Sequence, residues 1–107
     1  MPECIIKSGT DTVAKLNATE YFRASSARDK MDCKTQHCMV TVGALTEGII
    51  RDGDNIYFLN NEGQIELYDR IARLEVNKAS VESAEAPATV GICLRTLSKK
   101  DLEPLFQ

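Results

Sequence analysis

At 107 residues the chain is long enough to bury one hydrophobic core and too short for two, which excludes a multidomain architecture. Its 43% hydrophobic and 27% charged residues exclude the apolar-poor, highly charged class that stays disordered. With 13 Lys and Arg against 16 Asp and Glu, the net charge of −3 supplies no general attraction to phosphate, so nucleic-acid binding requires a local basic patch.

The opening Met-Pro-Glu-Cys-Ile-Ile-Lys lacks the basic start and long apolar run of a targeting segment, and no stretch approaches the ~20 apolar residues that cross a bilayer. A cytoplasmic protein with no membrane partner is the expectation. In that reducing compartment Cys4, Cys33, Cys38 and Cys93 read as free thiols.

Residues 4–7 and 12–16 read as short extended pieces separated by the turn-forming Ser8-Gly9-Thr10-Asp11. Asn17, followed at the third position by Glu20, has the form of a capping box and predicts a short helix over roughly 18–30, with Tyr21, Ala24, Ala27 and Met31 on one face. The alternative is a strand through residues 20–24 followed by a polar loop. From Cys38 the period becomes two: residues 38–45 form a β-branched, alternating run, broken at Thr46-Glu47-Gly48. Arg51-Asp52-Gly53-Asp54 reverses the chain into a strand over 55–59, and Asn60-Asn61-Glu62-Gly63 returns it as residues 64–68. Residues 70–78 alternate with Ile71, Leu74 and Val76 inward, which breaks strict alternation and predicts a bulge near Arg73. A small-residue connection over 80–89 delivers the chain into Val90-Gly91-Ile92-Cys93-Leu94, expected to be central. Ser98-Lys99-Lys100-Asp101 resembles a capping box for one helical turn, kept short by Pro104. About five or more short, closely spaced strands predict a mainly β fold, a small closed β-barrel with a possible short N-terminal helix, as a single domain over 1–107.

Cys33, His37 and Cys38 are the only local cluster of metal-ligand types. A zinc site would need a fourth ligand and closer cysteine spacing, and the plainer reading has buried structural cysteines and no metal. Cys nucleophile chemistry with His37 as base is disfavoured because adjacent strand residues point to opposite faces. The carboxylate pairs Asp52 with Asp54 and Glu82 with Glu85 fall in predicted turns and read as solvating groups, so no catalytic residue and no cofactor are expected. Arg70, Arg73, Lys78, Arg95, Lys99 and Lys100 could gather at one end of the barrel, with Tyr57, Phe58 or Tyr68 for stacking against a base. The plainer alternative is a solvated surface of mixed charge.

The run Val40-Thr41-Val42-Gly43-Ala44-Leu45-Thr46-Glu47-Gly48-Ile49-Ile50-Arg51-Asp52-Gly53-Asp54-Asn55-Ile56 resembles the opening strands of domain 2 of the translational GTPases such as elongation factor Tu. Residues 81–94, with Gly91 in a central strand, are similar to the closing segment of that domain. The resemblance covers roughly residues 38–103 and assigns structural turn roles to Gly43, Gly48, Gly53 and Gly91. It leaves 1–37 as an extension or as the first strands. The sequence departs from the family at Pro87 and near Leu105, where the family has glycines. It also carries no G-x-x-x-x-G-K-S/T run, so nucleotide hydrolysis is not expected.

In that family the barrel helps hold the aminoacylated end of tRNA. The resemblance makes Glu75 a ligand contact, whereas the residues alone read it as an exposed strand carboxylate. The expected function is a non-enzymatic binding module for a macromolecular partner, protein or structured RNA, with Arg73, Glu75, Arg95, Lys99, Lys100 and Tyr57 as binding candidates. Two alternatives stand beside it: a structural or regulatory subunit docking by a sheet edge, and a thiol or zinc-dependent function at Cys33, His37 and Cys38.

Overall fold

A computed structural model describes residues 2–24 and 35–107. Strand β1 (Glu3–Ser8) turns through Gly9, which has a φ of 63°, into β2 (Asp11–Arg23). Alternation places Cys4 and Ile6 of the first, and Ala14, Leu16 and Ala18 of the second, in the core. The helix predicted over 18–30 is not formed in its described part. Residues 18–23 continue β2 and pair antiparallel with β3 (Met39–Arg51), Glu20 opposite Val42 and Phe22 opposite Val40. The alternative strand reading of residues 20–24 is the one realised through Arg23, and residues 25–34 lie outside the described set. A capping box satisfies only the first turn of a helix, whereas the β3 ladder occupies the backbone of the whole segment and keeps the inward parity of Leu16 and Ala18.

The break expected at Thr46-Glu47-Gly48 is a bulge inside β3. Lys15 faces Glu47 while Leu16 faces Leu45, so Thr46 is the extra residue, and Gly48 takes a φ of 84° opposite Ala14. β3 then bends far enough for its last residues to pair with β7 (Ser83–Glu85). Asp54 closes the next turn from within: its carboxylate is buried and accepts from the Arg51 amide at 3.0 Å. β4 (Asn55–Leu59) and β5 (Ile65–Val76) are joined by a loop in which the Asn60 side-chain oxygen accepts from the amides of Glu62 and Gln64. The small-residue connection contains two three-residue strands, β6 (Ala79–Val81) against β5 and β7 against β3. β8 (Ala88–Leu94) lies between β5 and β3, the central place expected for it.

Six strands run in the order β2-β1-β4-β5-β8-β3, and the additional β2–β3 pairing closes the cylinder. The fold is thus mainly β, a closed antiparallel barrel. Residues 2–24 supply two of its staves and do not merely decorate it. The Ser98 capping box is present and opens α1 (Lys99–Leu102), followed by a 3-10 turn (Glu103–Phe106) that contains Pro104. Leu97 and Leu102 pack into the core from this end, and Phe106 lies with its ring centroid 4.8 Å from that of Tyr21. The described helix is therefore C-terminal, not N-terminal. No helix among the described residues is long and apolar enough to cross a membrane.

Candidate functional site

The site follows from the bulge in β5. Ile71 and Leu74 are both buried although they lie three residues apart, which a strand can achieve only by absorbing one extra residue, and the register shifts between Ile71 and Arg73. The bulge predicted near Arg73 is therefore real. Arg73 stands opposite Cys93 of β8, on the outer side, and Arg70 precedes the inward Ile71. Arg95 follows the buried Leu94 at the end of β8. Two neighbouring staves thus deliver three guanidinium groups to one open cleft of about 1100 Å³, also lined by Gln36, Asp52 and Thr96.

Asp69 holds the two walls together. It occupies an inward parity position between Leu67 and Ile71 and is only 4% exposed. Its Oδ2 accepts from the amides of Thr96 and Leu97, each at 2.9 Å. Its Oδ1 accepts from the Thr96 hydroxyl at 3.1 Å and the Arg70 amide at 2.7 Å. One buried carboxylate therefore fixes the backbone beside Arg70 and the backbone just after Arg95. From the opposite side, the Arg95 carbonyl accepts from the Gln36 amide at 3.2 Å.

Arg70 donates from Nε to the Gly53 carbonyl at 3.2 Å, which orients its guanidinium along the cleft rim. Arg73 Nε lies 3.5 Å from Glu75 Oε2, yet that nitrogen is buried and makes no hydrogen bond. Among the described groups lining the cleft, three arginines face a single carboxylate, Asp52. Asp69 and Glu75, just behind that lining, bring the carboxylates of the site to three, so its charge is formally balanced while the arginines hold the open side. Cys93 also lines the cleft, but burial pushes its thiol pKa upward, against the lowering effects of Thr35 and Arg73, so it is a poor nucleophile.

The other candidates separate. The Glu75 side chain is 14% exposed and pairs with Arg73, so the reading as an exposed strand carboxylate is corrected: the β8 backbone at Gly91 lies against it, 3.7 Å from its Cβ to the position a Cβ would take at Gly91. Lys99 and Lys100 are exposed on α1 and do not line the cleft, nor does Lys78. Tyr57 lies on the outer face stacked with Tyr68, whereas Phe58 is fully buried and cannot stack on a ligand. Gly53 sits in a turn with a φ of 85°, while Gly43 and Gly91 lie within strands. A Cβ at Gly43 would meet the Asn17 carbonyl, and this close approach seats β2 on β3.

Cys38 departs from the expectation of four free thiols. It is disulfide-bonded, whereas Cys4 and Cys93 are free. A sulphur held in a disulfide is not a thiolate ligand or nucleophile, so the Cys33, His37 and Cys38 cluster loses one of its members. Cys33 itself lies outside the described residues. The free-thiol reading was drawn from an expected reducing compartment, and a disulfide at Cys38 does not agree with that premise.

Sequence reasoning missed Asp69, Gln36 and Thr96. The signal for Asp69 was a carboxylate at an inward position of an alternating strand, between Leu67 and Ile71. Fold and site together define a closed six-stranded antiparallel barrel with an arginine-lined cleft beside a bulged stave. No protein-family model matches the sequence, and no characterised protein matches it with significance.

Proposed function

We propose that the protein is a non-enzymatic binding module that takes structured RNA into the arginine-lined cleft. The observation that carries this reading is the convergence of Arg70, Arg73 and Arg95 on one open cleft. Planar guanidinium groups match phosphate oxygens in bidentate geometry. The resemblance to domain 2 of the translational GTPases points the same way, and a closed barrel is compatible with it. Recognition here rests on the arginines rather than on Glu75, whose carboxylate is engaged by Arg73.

Titration with tRNA across a salt series tests the proposal. Three phosphate contacts give a slope of log K against log salt of about −2 to −3, and an Arg70→Ala, Arg73→Ala, Arg95→Ala triple variant flattens it. No binding at low salt would overturn the RNA reading. Recovery of a protein partner that survives nuclease treatment would replace it with the protein one. Docking by a sheet edge has less to support it: the described strands with a single neighbour, β6 and β7, are three residues each.

A further inference from the structure

We infer that the outer face of β1, β4 and β5 carries a second element of the same site, a stacking platform on which an unpaired RNA base lies against Tyr68. This rests on the reading of the cleft as an RNA site. Tyr57 stands opposite Tyr68 in the β4–β5 ladder, and their rings stack with centroids 5.8 Å apart and planes 21° apart. On the next strand, the Lys7 ammonium lies 5.2 Å from the Tyr57 centroid. Lys7 stands opposite Asn55 and reaches Tyr57 diagonally, so Tyr57 is engaged by both a cation and a ring on three adjacent strands.

Tyr68 remains 66% exposed, the most exposed of the large hydrophobic side chains described. An aromatic ring held in orientation by its neighbour yet left open to water forgoes burial of its own, and it offers a base a surface whose ordering has already been met. Its position gives the ligand class. Arg70 lies two residues along the same strand and on the same face, so Tyr68 and the cleft rim are about 7 Å apart, within the span of one extended nucleotide. Lys7 and Arg70 flank the two rings with positive charge. This combination of stacking rings and cations suits a single-stranded segment leaving the cleft.

The test compares an oligouridylate with an abasic ribose-phosphate oligomer of equal length, binding each at low salt to the wild-type chain and to Tyr68→Ala and Tyr68→Phe. The chain has no tryptophan, so stacking is read directly as quenching of tyrosine fluorescence. The expected result is quenching by oligouridylate only, an affinity about tenfold above that of the abasic oligomer, loss of that advantage in Tyr68→Ala, and its retention in Tyr68→Phe. Unchanged thermal midpoints will show that both variants fold. Equal binding of the two oligomers by the wild type, unaffected by Tyr68→Ala, would sink the platform while leaving the cleft reading intact. If neither oligomer nor tRNA binds, the cleft reading fails and the platform with it.

Discussion

Replacing Asp69 with alanine should remove the clamp between β5 and the segment after β8. The variant leaves the amides of Thr96 and Leu97 without the acceptor each now reaches at 2.9 Å, and Leu97 is itself buried. A buried donor without a partner costs about 1–3 kcal/mol, and here the Leu97 amide is one, with the part-buried Thr96 amide and hydroxyl and the Arg70 amide losing their acceptor as well, while relief of the desolvation of the carboxylate offsets part of the loss. A net cost of about 3 kcal/mol is expected, a large share of the ~5–15 kcal/mol that stabilises a typical domain. For a chain of this length that lowers the thermal midpoint by about 12–15 °C. Urea and thermal unfolding followed by circular dichroism measure it, with Asp52→Ala as a control on an exposed turn that should change stability by less than about 0.5 kcal/mol. A loss below about 1 kcal/mol for Asp69→Ala would refute the clamp. RNA affinity should also fall in the variant, because Arg70 and the backbone after Arg95 lose their common anchor.

The remaining expectations are narrower. Gly43→Ala should cost about 3 kcal/mol, because the new Cβ meets the Asn17 carbonyl and sits 2.9 Å from Ala18 Cα, whereas Gly91→Ala should stay within about 0.5 kcal/mol; equal effects in urea unfolding would contradict the strand seating. Burial, with a smaller contribution from Glu3, pushes the Cys4 thiol from its ordinary 9.0 up to about 12. Because the unfolded chain releases this proton first, the contribution is intact below pH 9 and is lost as pH rises toward 12. By pH 10 the wild type should lose about 1.4 kcal/mol that Cys4→Ala does not, read as diverging urea midpoints. The Ser98 amide, and then its hydroxyl, hold the Asp101 carboxyl below its ordinary range. The capping contribution is therefore present above the ordinary carboxylate pKa and is lost as pH falls through the depressed one. Ser98→Ala removes the hydroxyl and keeps the amide, so it should weaken that dependence and cost about 1 kcal/mol, with faster amide exchange across residues 99–102 as the readout.

Much of the barrel was legible in the order of residues because inward and outward positions are a local property. The strand over 55–59, the Asn60 loop, the Ser98 cap and the three-residue step from Ile71 to Leu74 each specify a strand, turn, cap or bulge without reference to distant chain. The segment at residues 18–23 was not legible. Its capping signal is local, while the ladder that overrides it joins residues about twenty apart, and only the closed cylinder supplies that partner. The arginines were visible as a list, but Arg70, Arg73 and Arg95 become a site only where β5 lies beside β8 and Asp69 reaches across to Thr96 and Leu97. Sequence by itself determined which side chains could face inward; the tertiary structure decided which strands became neighbours, because closing a sheet satisfies distant backbone groups and thereby sets which outward charges meet.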